Sequence, residues 1–155
     1  MAARPSEAAA PRPAKQLSAV AVAVLPPRTE RDPRHLSRAH LADGRVVAGV
    51  SPSGGLPGTL AIDAELASQR PPPALARRFG PLHDEEFWRR WTQVEVACKL
   101  LDVPVLVWLR RHGLDATPAG VDLHTYVEAG IVVTVGVHGW DNAGLPDLEP
   151  VPEAE

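Results

Sequence analysis

Cysteine is nearly absent from this chain, with Cys98 the single one in 155 residues. One thiol excludes an internal disulfide framework and fits a reducing compartment. Lysine is almost as scarce, since Lys15 and Lys99 are the only two among 16 lysines and arginines. No apolar run approaches the ~20 residues of a membrane-spanning helix, which argues against a membrane protein. The net charge of −3 leaves no bulk basic field of the kind that nucleic acid attracts. An internal repeat is missing too. Together these absences predict a cytoplasmic protein whose partners are neither nucleic acid nor membrane. The valine-rich run 17–25 (LSAVAVAVL) follows Arg4, Arg12 and Lys15, but the charged lead is diffuse and the run only strand-sized, so a strand is expected and not a secretory signal.

What is present predicts one domain with a real core. The chain is 45% hydrophobic, while 17 prolines and 12 glycines mark tails and turns. Residues 1–14 read as a disordered Ala/Pro tail, 15–140 as the single domain, and 141–155 as an acidic tail. Strands are expected over 17–25, 45–50 after the Asp43-Gly44 turn, and 59–65. Pro71-Pro72-Pro73 breaks the chain before a short helix at 74–79, and the loop 51–58 (SPSGGLPG) is set by composition. A helical piece at 105–112, stopped by Gly113, follows Pro104. The strands 123–127 and 131–137 close as a hairpin. Strands and helices do not alternate regularly, so the fold class is α+β, a small antiparallel sheet packed against one long helix.

That long helix is the stretch 87–99, FWRRWTQVEVACK. Its spacing puts Phe87, Trp91, Val94, Cys98 and Leu101 on one apolar stripe. On that stripe Cys98 reads as a small buried hydrophobe rather than a nucleophile. Acidic Asp84, Glu85 and Glu86 complement the dipole at its start. A second row carries Trp88, Thr92, Glu95, Lys99 and Asp102. Glu95 and Lys99 stand i, i+4 in the favourable orientation, and the plain reading is a solvated bridge worth a few tenths of a kcal/mol. The sharper reading notes that the row lies between aromatics, in a chain that otherwise uses arginine. A compact ammonium is then wanted at Lys99.

Other charged groups carry similar pairs of readings. Asp63 and Glu65, two apart on a strand, share a face. They are either a strand end running into water or a pair of hard oxygen ligands suited to Mg²⁺. Arg28, Arg31, Arg34 and Arg38 form either a solvated loop or an anion-facing edge. His35, His83, His112, His124 and His138 have no metal spacing. Trp88, Trp91, Trp108 and Trp140 read as core or interface, with no basic groove to make them a stacking platform.

Three motifs in order carry a resemblance. Ser37-Arg38-Ala39-His40 precedes a valine-rich strand; then come Ile62-Asp63-Ala64-Glu65 and Phe87…Trp91-Thr92-Gln93-Val94-Glu95…Lys99. The order resembles that of the 4′-phosphopantetheinyl transferases, in particular the longer class whose chain holds two similar halves. It covers residues 36–101 well and the terminal hairpin more loosely. The resemblance implies Mg²⁺-dependent transfer of 4′-phosphopantetheine from coenzyme A to a serine of an acyl or peptidyl carrier protein, a holo-acyl-carrier-protein synthase activity of secondary metabolism. It places Asp63, Glu65 and Glu95 on the metal ligands. Lys99 falls on the lysine facing the coenzyme A phosphates, and His40 on the histidine at the 3′-phosphate. Glu95 and Lys99 would then be the catalytic pair.

The chain also departs from that pattern. Val94 stands where a lysine usually precedes the glutamate, Leu41 replaces a serine, and Ala61 a glycine. Leu101-Asp102-Val103-Pro104 replaces a glycine-rich turn. Most of the first half is missing, so only the arginine cluster, Arg34 and Arg38 included, would hold the nucleotide. The site would be completed by a homodimer or stay an incomplete cleft. Two alternatives follow: a non-catalytic member of the fold that binds a carrier protein or an enzyme, and an unrelated α+β domain in which Asp63, Glu65 and Glu95 lie far apart.

Overall fold

A computed structural model of the chain describes residues 21–32, 35–50, 59–114 and 118–138. The two expected tails, Arg34, Trp140, the loop 51–58 and the first residues of the 17–25 strand lie outside the described residues. In order, the elements are β1 (Ala21–Leu25), β2 (His35–His40), β3 (Val46–Val50), β4 (Thr59–Leu66), α1 (Pro73–Phe79), α2 (Asp84–Leu101), α3 (Val105–His112), β5 (Val121–Glu128) and β6 (Ile131–His138).

The class is mixed α+β, but among the described residues the single sheet expected from the sequence is corrected to two, alongside three helices. Sheet A has strand order β1-β3-β2 and sheet B has β4-β6-β5, with every pairing antiparallel. The reason is β2. Its sequence HLSRAH has no clean apolar alternation and reads as part of a basic loop. The Asp43-Gly44 turn nevertheless folds it back on β3, with Leu41 N–H donating to Arg45 O at 2.9 Å and Arg45 N–H to Asp43 Oδ1 at 3.0 Å.

Sheet B is the middle layer. β6 is its central strand, and the run IVVTVGV is buried throughout, as expected of a strand covered on both faces. Alternation divides the side chains. Ile62, Ala64, Ile131, Val133 and Val135 join Val22, Ala39, Leu41 and Val47 of sheet A and its turn in one cluster. The other face meets α2: Ala61 packs with Val96 and Leu100, and Val132 with Phe87, Trp88, Val94 and Cys98. The expected apolar stripe of α2 is thus largely in the core, although Trp91 and Leu101 are only partly buried. Cys98 is buried, and desolvation pushes its thiol up to about 11. It behaves as a small apolar group.

Local signals set the ends of α2. Asp84, Glu85 and Glu86 occupy the first turn, and Glu85–Arg89 and Glu86–Arg90 form i, i+4 pairs. At the other end Asp102 adopts φ 54° and its N–H donates to Cys98 O, the left-handed position where glycine is usual. Ala129 (φ 47°) and Gly130 (φ 75°) make the two-residue turn between β5 and β6, a geometry with positive φ at both centres. Ala129→Gly is expected to stabilise the fold by about 1 kcal/mol, read as a higher urea midpoint at unchanged slope. Among the described residues no helix is long and apolar enough to cross a membrane.

Candidate functional site

Asp63 lies on the helix-facing side of β4, opposite Thr134 of β6, which lies opposite Thr125 of β5. Residues paired across strands share a face, so a polar row crosses sheet B beneath α2. Thr92 of α2 meets Thr134 at 2.8 Å, Thr134 meets Thr125 at 2.8 Å, and Gln93 Nε2 donates to Thr125 Oγ1 at 3.0 Å. Thr92 and Thr134 are fully buried. This hydroxyl network fixes the height and rotation of α2 over the sheet. Sequence reasoning missed it, although a lone threonine in the middle of the IVVTVGV run is its visible trace.

The network sets α2 so that Glu95 and Lys99 face the end of the row occupied by Asp63. Lys99 does not bridge to Glu95, as the i, i+4 spacing suggested. Its Nζ donates instead to Asp63 Oδ1 at 2.8 Å and to Ile62 O at 3.0 Å. The other side of Ile62 is taken as well, its N–H donating to Ser37 Oγ of β2 at 3.0 Å. Ser37 therefore holds sheet A against the strand that carries Asp63.

Asp63 is buried, and its Oδ2 has no hydrogen-bond partner among the described residues. Desolvation outweighs the Lys99 charge and pushes its carboxyl up. Glu65, on the same face, is pushed up to about 7 by burial and then by the charges of Asp63 and Glu95. Glu95 is raised by burial and by Asp63. The three carboxyl groups thus feel one another, with Lys99 as the cation among them. Burial is the largest cause for each, and the repulsion between neighbouring carboxylates adds to it for Glu65 and Glu95.

Of the residues expected to bind the nucleotide, Lys99 is in this cluster, Arg34 lies outside the described residues, and Arg38 and His40 are placed elsewhere. Arg38 and His40 alternate along β2 with Ser37 and Ala39. Ala39 is buried in the cluster shared with sheet B, so Arg38 and His40 lie on the opposite face of β2. Arg38 Nη2 donates to Thr29 O at 2.7 Å, and His40 is exposed. Neither makes a hydrogen bond or ion pair with the carboxylate cluster.

Oxygen donors and a surplus of negative charge are the chemistry a divalent cation needs. When all three are ionised, the carboxylates leave two negative charges beyond the one ammonium, and Asp63 Oδ2 is a buried acceptor with no partner among the described residues. In their present conformations, however, no three Asp, Glu, His or Cys side chains among the described residues stand close enough to hold a metal ion. Glu65 and Glu95 make no hydrogen bond among the described residues that would hold their rotamers. In chemical type the donors, all carboxylate oxygens, suit such an ion. No protein-family model, no curated protein and no solved structure matches this chain.

Proposed function

We propose that the chain is a shortened, Mg²⁺-dependent 4′-phosphopantetheinyl transferase that modifies a serine of an acyl or peptidyl carrier protein, acting in the cytoplasm. The observation that carries this reading is the Asp63–Lys99 pair at the seam between α2 and β4, with Glu65 and Glu95 near enough for their charges to act on it or on each other. Mg²⁺ held by the three carboxylates would supply positive charge to the pyrophosphate of coenzyme A. Glu95, a base with its affinity for protons raised, takes the proton of the acceptor hydroxyl. The serine oxygen forms a bond to the β-phosphorus, the bond to the bridging oxygen breaks, and 3′,5′-ADP departs. Lys99, exchanging Asp63 for a phosphate oxygen, neutralises charge on that leaving group. A second copy of the chain would supply the missing half of the nucleotide cradle.

A second reading, a non-catalytic protein that binds a carrier protein or an enzyme, draws on Val94. It is 1% exposed, so the position where the resemblance expects a lysine before the glutamate belongs to the core. Intact mass spectrometry of apo-carrier proteins, incubated with coenzyme A, Mg²⁺ and either wild type or Glu95→Gln, separates the two. Gain of one phosphopantetheine with wild type and a loss of at least ~100-fold in rate with Glu95→Gln is expected for the enzyme. Carrier binding without transfer, and without coenzyme A binding, selects the second reading.

A further inference from the structure

The two partners of the Asp63–Lys99 pair differ in their freedom to move. Asp63 is fixed in β4 and is 8% exposed, with its Oδ2 buried and without a hydrogen-bond partner among the described residues. The side chain of Lys99 is 37% exposed, and its ammonium rides on a flexible alkyl stem. That ammonium spans Asp63 Oδ1 at 2.8 Å and Ile62 O at 3.0 Å. Neither Glu65 nor Glu95 makes an ion pair with it among the described residues. Burial is the largest cause of the rise in Asp63, Glu65 and Glu95, and the charge of Lys99 opposes that rise in each. One ammonium is thus the counter-charge that all three carboxyls feel. The residue type matters here. A guanidinium would grip the carboxylate with two parallel N–H bonds, whereas an ammonium is a hydrated point charge that exchanges acceptors readily.

We infer that Lys99 is the resident counter-ion of this acidic site and opposes a divalent cation until a phosphate-bearing ligand takes its ammonium. The inference rests on the reading of the site as one for a divalent cation. A metal ion arriving alone must set its double charge beside an ammonium that already neutralises Asp63, and the two cations repel. A phosphate oxygen offers Lys99 Nζ another acceptor. Asp63 Oδ1 is then released, beside the Oδ2 that has no partner, and the carboxylate regains its need for a cation. Cation and phosphate ligand therefore bind with positive coupling, and each raises the affinity for the other by the same factor.

Calorimetric titration of the full chain with Mn²⁺ tests this, at a pH above the about 7 of Glu65 and with no phosphate compound present. Lys99→Met keeps the reach of the side chain and removes its charge. It is expected to bind Mn²⁺ at least ~10-fold more tightly than wild type. Lys99→Arg keeps the charge in a form that holds Asp63 with two bonds, and should bind Mn²⁺ at least ~5-fold more weakly. Coenzyme A should raise the Mn²⁺ affinity of wild type by ~10-fold or more, and that of Lys99→Met by less than ~3-fold. Mn²⁺ binding by Lys99→Met that is equal to or weaker than that of wild type overturns the inference. Should that variant not fold, Lys99→Arg decides, and Mn²⁺ binding as tight as that of wild type overturns it. Tighter Mn²⁺ binding by Lys99→Met in a protein that transfers no phosphopantetheine keeps Lys99 as the counter-ion and sinks the transferase reading. Transfer by wild type, with no gain of Mn²⁺ affinity in Lys99→Met, does the reverse.

Discussion

Gly136→Ala is expected to destabilise the protein by about 3 kcal/mol, at the upper end of the overpacking range. A Cβ built on Gly136 would stand 2.8 Å from Leu123 Cδ2 and 3.0 Å from Leu100 Cδ1, and closer still to Val96 Cγ1. The two leucines have rotatable ends. Val96 does not, because a β-branched side chain in a helix is held to one dominant rotamer, and it is fully buried. The helix must therefore rise from the sheet, which also draws Lys99 away from Asp63. A fall in the urea midpoint checks the first effect. The double variant Val96→Ala/Gly136→Ala should be less destabilised than the sum of its parts, because each change relieves the other. A Gly136→Ala protein within ~0.5 kcal/mol of wild type would mean that α2 is not seated as described.

The second large effect is a stability that declines as pH rises. The carboxyl of Glu65 moves from its ordinary 4.5 up to about 7 in the folded protein. A raised carboxyl favours the folded state in its protonated form. Below pH 4.5 both states are protonated and nothing changes. Between 4.5 and about 7 the unfolded chain loses its proton first, and folding is progressively penalised. For this half-buried group, after allowance for solvent screening, the penalty is on the order of 1–2 kcal/mol. Asp63 and Glu95 are raised as well and add to the decline with the same sign. Glu65→Gln should flatten the thermal-denaturation profile across that window and raise the midpoint at pH 8. Mg²⁺ at pH 8 should stabilise wild type by mass action, and Glu65→Gln less. A profile that rises through the window would show that Glu65 is not raised in the folded protein.

Much of the helical layer was legible because its signals are local. The apolar spacing of α2, the prolines before α1 and α3, and Gly113 after α3 all act within a turn or two. The closing hairpin was readable from its β-branched run and short turn. What escaped was non-local. β2 is a strand because β3 accepts it across the turn, and nothing in HLSRAH says so in isolation. The same holds within the site. Asp63 and Glu65 were visible as a same-face pair, but the partner of Lys99 was misjudged. Spacing along the helix pointed to Glu95, whereas the buried Asp63, 36 residues away, has the greater need for a cation. The threonine network belongs to the same class, since it joins residues 42 positions apart.

The two hydrogen bonds on Ile62 have a bearing on how the protein lives among its neighbours. The outer strand of a sheet ordinarily offers a row of unused amides and carbonyls, which invites an extended peptide to add itself. Halfway along β4, Ser37 occupies the amide and Lys99 the carbonyl of Ile62. The lysine that neutralises Asp63 is therefore also a stopper, keeping foreign strands from growing onto the sheet that holds the acidic cluster.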